Sequence, residues 1–394
     1  VGHSPAEPVG GTRAFLPAVQ GLRGAAAVAV VITHVATQTR QSVGLFGPLW
    51  IRLDLAVAVF FALSGFLLWR GHAAAAHGLR ESPDSGRYLR SRLVRILPAY
   101  LLAVAVILAL LPDAHGAHGT VWLANLTLTQ VYVPQALVTG LTQMWSLSVE
   151  VTFYLALPML ALAARRLPVR ARVPVLAAVA VASFGWAYLP IPAPNGANPL
   201  NWAPAYASWF AVGMLLAEFT CRPESRMHRI ARRPVVMAGI ASVAFVVSAS
   251  PLVIPTGSEH ASVGQFVVRT AMGAVVAAAL LAPLVLDRPS ARHPVLGSPV
   301  MVTLGQWSYG LFVWHLAALS VVFALLDRPE SAVGFIAVLV LTLVFGLAMA
   351  AVSYALIEEP CRNALQRWET RRNAAVLPLT DPSGDSAADR CRAA

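Results

Sequence analysis

Val333-Gly-Phe-Ile-Ala-Val-Leu-Val-Leu-Thr-Leu-Val-Phe-Gly-Leu-Ala-Met-Ala-Ala-Val-Ser-Tyr-Ala-Leu-Ile357 is a run of 25 residues without a single charge. A bilayer core of about 30 Å takes roughly 20 helical residues to cross, so the run reads as a membrane span. Outward from it, Ala99–Leu111, Val173–Leu189 and Ala271–Leu286 repeat the pattern. Ten apolar runs can be placed near 18–37, 50–69, 96–112, 144–163, 173–190, 204–220, 235–254, 263–286, 303–326 and 333–357. Only 12% of the 394 residues are charged and 57% are hydrophobic, with a mean hydropathy of +0.66. A soluble domain is roughly a quarter charged. Backbone in lipid must bond to itself, and no alternating ten-residue pattern suggests a barrel. The expected class is therefore an all-α polytopic membrane protein with about ten transmembrane helices. Its expected parts are a cytoplasmic N-terminal segment (1–17), a ten-span domain (18–360) and a cytoplasmic, largely disordered tail (361–394), of which 373–394 is small and polar.

The net charge of +11 could suggest a nucleic-acid partner, but its distribution does not. All 29 basic side chains are arginine, as GC-rich bacterial coding favours. With the N-terminus inside, 24 of the 29 fall in alternate connections and termini on one side. That is the positive-inside pattern; it places both termini in the cytoplasm of a bacterial plasma membrane and argues for no nucleic acid. Cys221, Cys361 and Cys391 all fall on that reducing side, which argues against a disulfide framework. The first run carries Arg23 and His34 and no small-residue cleavage site, so it reads as a retained span. The outer connections 113–143 and 191–203 hold Trp122, Asn125, Gln130, Tyr132, Gln143 and Trp202. These form either a sugar-facing mouth or an interfacial belt.

Ionisable groups inside spans cost several kcal/mol and mark functional candidates. Arg23 and His34 lie eleven residues apart, which returns them to one helix face about 16 Å apart. A neutral imidazole suits a general base for an alcohol, and an arginine suits a phosphate; a satisfied packing histidine is the alternative for His34. Ser146, Glu150 and Tyr154 stand four apart in one polar stripe. Glu150 serves either to orient His34 or to pair with an arginine such as Arg23. His315 places a second imidazole near mid-membrane, as a functional or a structural group. Arg90, Arg92 and Arg95 cluster with Arg70 at the inner surface, as phosphate ligands or as topology and lipid signals. No metal-ligand set stands out.

Seven motifs recur in order: Leu22-Arg23-Gly24 with His34; Val59-Phe-Phe-Ala-Leu-Ser-Gly-Phe-Leu-Leu-Trp-Arg70; Tyr88-Leu-Arg-Ser-Arg-Leu-Val-Arg-Ile-Leu-Pro-Ala-Tyr100; Trp145-Ser-Leu-Ser-Val-Glu150 with Phe153-Tyr154; Phe210-Ala-Val-Gly-Met214; Ser308-Tyr309 with His315; and Ser353-Tyr354 with Ile357-Glu-Glu-Pro360. Together they resemble the acyltransferase 3 family of bacterial membrane O-acyltransferases, over residues 17 to 363. The resemblance implies transfer of an acyl group from cytoplasmic acyl-CoA to a hydroxyl of a carbohydrate-containing acceptor: an envelope glycan, a glycolipid or a glycosylated natural product. It implies His34 as the essential base, with Arg23, Arg92, Arg95 and Glu150 handling the donor or assembling the site; joined to the readings above, the expected catalytic groups are His34 and Glu150 and the expected donor ligands Arg23, Arg70, Arg92 and Arg95. Ser64, Ser146, Tyr154 and His315 are expected to contact substrate or assemble the site. One departure is Ala58, where many members carry Asp two residues before the Phe-Phe pair; Asp54 lies one turn earlier. The competing reading is a transporter or flippase of a lipid-linked glycan. Such proteins usually show two matched halves, whereas here the charged motifs have no counterpart in the second half.

The arginine asymmetry yields a topology test. A reporter fused after Arg372 is expected to read cytoplasmic and one inserted near Gly116 external. Reports from the same side would mean a span count wrong by an odd number.

Overall fold

A computed structural model describes residues 16–376, apart from 42–43, 115, 194–195, 255–260, 289–290, 292 and 327–333. Among these residues every regular element is helical. The longer helices are α1 (Pro17–Gln38), α3 (Ala56–Ala76), α4 (Ser85–Leu110), α6 (Trp145–Arg165), α7 (Val169–Ala182), α8 (Ala207–Thr220), α10 (Pro234–Ser248), α11 (Val263–Val285), α12 (Pro299–Leu326), α13 (Phe335–Ser353) and α14 (Glu359–Val376). Short helices α2 (Gly47–Arg52), α5 (Gly119–Leu126) and α9 (Arg226–Ala231) lie in the connections.

Among the described residues each of the ten apolar runs contains a helix, and eight helical stretches are long and apolar enough to cross a membrane. The chain is thus a polytopic helical membrane protein. α8 and α10, of 14 and 15 residues, are shorter than a full crossing takes. Ends differ from the apolar runs where local chemistry decides. α4 starts eleven residues before its run at Ile96, because Asp84 caps it by accepting from the Arg87 N–H at 2.6 Å. The stretch 361–376, expected as the start of a largely disordered tail, is instead most of α14, which follows α13 through a π-helical turn at Tyr354–Glu358. Arg87 and Arg90 of α4 face Glu369 of α14 at 3.5 and 3.8 Å, and Arg90 also covers the Trp368 ring. The rest of the expected tail and the segment 1–15 lie outside the described residues.

α3 is apolar on all sides and runs through the core, as an all-round apolar helix must. It packs most closely on α8, and α1 packs along α12. Both contacts depend on missing side chains. A Cβ on Gly65 would strike the backbone of Phe210, and one on Gly213 the backbone of Ala62. Gly24 and Gly305 meet in the same way across α1 and α12. Lipid tails are as apolar as leucine, so helices in membranes associate through close backbone packing of this kind. α7, α10 and α13 lie outside and turn residues such as Val179, Val243 and Val344 outward.

The expected sugar-facing mouth is not formed by the outer amides. Asn125, Gln130 and Gln143 are buried, and their amide nitrogens bond Ala136 O, Met144 O and Val313 O at 2.9, 3.1 and 3.2 Å. Trp202 Nε1 likewise donates to Val131 O at 3.1 Å. These side chains hold the connection 127–144 together and fasten it to the start of α6 and the middle of α12.

The α3–α8 contact gives a direct test. Gly65→Val is expected to destabilise the protein by about 1–3 kcal/mol through overpacking against backbone, read as a lower melting temperature in detergent. Gly239→Ala, where a Cβ meets nothing within 4 Å, is the neutral control. Equal melting of the two would show that α3 and α8 are not held at this spacing.

Candidate active site

Most of the polar residues singled out in the sequence converge on one narrow cavity of about 70 Å³. Arg23 reaches it from α1, Ser64 from α3, Arg92 and Arg95 from α4, Ser146, Glu150 and Tyr154 from α6, and Ser308 and Tyr309 from α12. Its other walls are apolar, with Val57, Phe60, Phe61 and Phe312 among them. Helix direction orders these residues along the cavity. Arg23 lies in the first third of α1, Arg92 and Arg95 in the first half of α4, and Tyr154 at the middle of α6, two turns after Ser146. Val57 and Phe60 lie at the opposite level of α3. The cavity is therefore cationic at one end and apolar at the other.

At its centre Glu150 accepts hydrogen bonds from both Ser64 Oγ and Tyr154 OH. Tyr154 is on the same helix one turn on, and Ser64 comes from α3, so the carboxylate ties α6 to the core helix. Pro158 explains a further contact. It has no N–H to give the Tyr154 carbonyl four residues back, and Tyr88 OH donates there from α4 at 3.3 Å. Tyr309 OH donates to Ile96 O at 2.7 Å and joins α12 to α4. Arg23 bonds Gln20 Oε1 at 3.2 Å, and the carboxylates whose charges reach it are those of Glu150 and Glu358. The buried Nε of Arg92 has no hydrogen-bond partner. Three guanidinium groups against Glu150 in the lining and Glu358 beyond it still leave the cationic end with surplus positive charge, which an anion would balance.

His34 is not in this cavity and does not meet Glu150. The expectation that Glu150 orients His34 is therefore corrected: at that level α6 faces Ser64, and α12 supplies the neighbour of His34. The Nδ1 atom of His34 lies 2.8 Å from Val30 O and 3.3 Å from His315 Nε2. The two rings are tilted, with centroids 4.9 Å apart. A carbonyl oxygen only accepts, so Nδ1 of His34 carries the hydrogen and Nε2 keeps its lone pair. His34 is half-buried and His315 fully buried behind it. The pair adjoins the apolar end of the cavity. Phe312 lines that end and lies one turn before His315, with ring centroids 6.1 Å apart.

Arg70, on α3, does not line the cavity. Asp54, the acid nearest the family position at Ala58, bonds Arg269 of α11 at 2.5 Å and faces Arg52 at 3.8 Å. One buried network was missed in the sequence. Glu218 of α8 is fully buried and accepts from Trp69 Nε1 of α3 at 2.7 Å and from Arg172 Nε of α7 at 2.8 Å. An acid inside the run 204–220 was the available signal. Among the described residues no group of three His, Cys, Asp or Glu side chains comes together as a metal site.

The comparisons with known proteins give the family. The sequence profile of the acyltransferase 3 family, described as an acyltransferase domain, matches residues 16–354, and the chain belongs to that family. It is 28% identical to the acyltransferase MdmB of Streptomyces mycarofaciens, over 96% of this chain and 98% of that protein. It is 25% identical to a putative acetyltransferase, ORF330, of Acidianus two-tailed virus, over 76% and 82% of the two chains. It is 22% identical to the O-acetyltransferase OatA of Staphylococcus aureus, over 88% of this chain and 57% of that protein. No solved structure matches the chain.

Proposed function

We propose that this membrane acyltransferase takes its acyl group from cytoplasmic acyl-CoA and places it on a hydroxyl of a carbohydrate-containing acceptor. The observation that carries the reading is the polarity of the cavity, cationic at Arg23, Arg92 and Arg95 and apolar at Phe60 and Phe312, beside His34. An acyl thioester with a phosphorylated tail has the same polarity. In this reading the chain crosses a bacterial plasma membrane ten times with both termini inside. The guanidinium groups then lie toward the cytoplasm and His34 in the outer half. The name of the Staphylococcus aureus relative supports an oxygen acceptor and a short acyl group.

The chemistry balances with His34 as base. Its Nε2 lone pair takes the proton of the acceptor hydroxyl as that oxygen attacks the thioester carbonyl. The new C–O bond forms, the C–S bond breaks, and the departing thiolate receives the proton back from His34 as the free thiol. Glu150 stays with Ser64 and Tyr154 and holds the walls that position the donor.

Two variants test the two ends separately, with labelled acyl-CoA as donor. His34→Gln keeps a hydrogen-bonding side chain but cannot take the proton, so turnover is expected to fall 10²–10⁴-fold, with expression and acyl-CoA binding near wild type. Near-normal turnover of a well-expressed His34→Gln protein would remove His34 from the mechanism. Replacing both Arg92 and Arg95 with Gln is expected to raise the acyl-CoA KM far more than the acceptor KM, because each lost charge-assisted phosphate contact costs about 1.5–3 kcal/mol. An unchanged donor KM would leave these arginines as topology signals, and absence of transfer or hydrolysis in the wild type would sink the reading.

A further inference from the structure

We infer that His315 is the positioning residue of His34: together with Val30 O it holds the hydrogen of His34 on Nδ1, leaving Nε2 free, and it shares the charge that His34 acquires. The inference rests on the proposed role of His34 as base. Its starting point is the hydrogen inventory of the two rings. His315 Nδ1 lies 2.8 Å from Phe312 O and 3.2 Å from Leu311 O. Both are carbonyl oxygens and can only accept, so Nδ1 of His315 carries its hydrogen. Its Nε2 is then an acceptor, and that atom faces His34 Nδ1 at 3.3 Å. The His34 Nδ1–H therefore has two acceptors, Val30 O and His315 Nε2, and no acceptor arrangement is left that would move the hydrogen to the other nitrogen. The remaining atom of the pair, His34 Nε2, is the one lone pair open to a substrate.

Burial assigns the two roles. His315 is fully buried and His34 half-buried, so only His34 can meet an acceptor hydroxyl. His315 cannot act as the base in its place. When His34 takes a proton, the bond to His315 Nε2 becomes charge-assisted, and such bonds shorten and strengthen. The 3.3 Å distance of the resting pair leaves room for that change.

The surroundings supply few competitors for this role. α13, packed on both α1 and α12, has no titratable side chain between Phe335 and Ser353. The charged group that acts on His34 is Asp54, in the turn before α3, and it is bonded to Arg269 of α11 and faces Arg52. Gly24 and Gly305 bring α1 and α12 close enough for the two rings to touch. The second imidazole is thus the one neutral acceptor placed on Nδ1 of His34 from another helix.

The test compares His315→Gln, which keeps an acceptor facing His34, with His315→Leu, which fills the space without one. Two readouts are taken on each purified protein: steady-state transfer with acyl-CoA, and the rate at which diethylpyrocarbonate carbethoxylates His34, followed by peptide mass spectrometry. The second readout reports the His34 lone pair directly and needs no acyl transfer. For His315→Leu we expect kcat to fall about ten- to a hundredfold, with both KM values unchanged and His34 carbethoxylation several-fold slower. For His315→Gln both readouts are expected to return to within a few-fold of wild type. A Leu variant with wild-type kcat and wild-type His34 reactivity overturns the inference. So does a Gln variant as defective as Leu in both readouts, because a packing role would not distinguish by acceptor. If the wild type transfers no acyl group but His34 reactivity still follows the acceptor at 315, the functional reading fails and the pairing stands.

Discussion

An ionised side chain inside a helical bundle in lipid has to find its partner on a neighbouring helix, because hydrocarbon offers none. Three such meetings organise this protein, and all involve α3 or the turn that leads into it. Asp54 reaches Arg269 on α11, Ser64 donates to Glu150 on α6, and Trp69 donates to Glu218, which also holds Arg172 on α7. Buried pairs contribute little net stability against well-packed apolar groups, yet losing one partner costs about 3–5 kcal/mol. Their effect here is on neighbourhood: they determine which helices surround α3. The glycine contacts at Gly65 and Gly213 then set how closely they do so.

The cavity is where this rule of compensation is left incomplete. Among the described residues Arg172 has Glu218, and Arg269 and Arg52 share Asp54. Around Glu150, Arg23, Arg92 and Arg95 share one lining carboxylate, and that carboxylate is already engaged by two hydroxyl groups. A bundle that pairs its buried charges at two other levels, around Asp54 and Glu218, and leaves a cationic excess at this one has a place for an anion brought from outside. The imidazole pair lies beyond the apolar end, separated from the charge by the level of Phe60 and Phe312. In the proposed function, donor binding and proton transfer fall at different heights of the same bundle.

Much of this was legible in the sequence, and what was not has a common physical cause. The helices follow from runs such as Val333–Ile357, and the shared face of Arg23 and His34 follows from helical geometry alone. Ser146, Glu150 and Tyr154 read as one stripe and do line one cavity. Spacing along one helix does not tell which helix stands opposite. Glu150 therefore read as a partner for His34, although α6 faces Ser64 there and α12, far away in the chain, brings His315. Arg172 was lost in the background of positive-inside arginines, although it is almost wholly buried against Glu218. Composition left the outer connections as either a sugar-facing mouth or an interfacial belt, whereas the amide nitrogens of Asn125, Gln130 and Gln143 are taken up by backbone carbonyls.

The shortness of α10 bears on the lipid around the protein. Fifteen residues rise only about 22 Å, against a hydrocarbon core of about 30 Å. α10 is a peripheral helix whose Val235, Val243 and Val246 face outward, and as a span it meets lipid directly. A stretch too short for the core cannot adapt by tilting; it thins the bilayer or lets flanking charged side chains reach back to the interface. Arg232 and Arg233, just before Pro234, are placed for the second response. If α10 spans the membrane, any thinning falls on this flank and not beside the 28-residue α12, which would make the lipid belt asymmetric with its shallow side at α10.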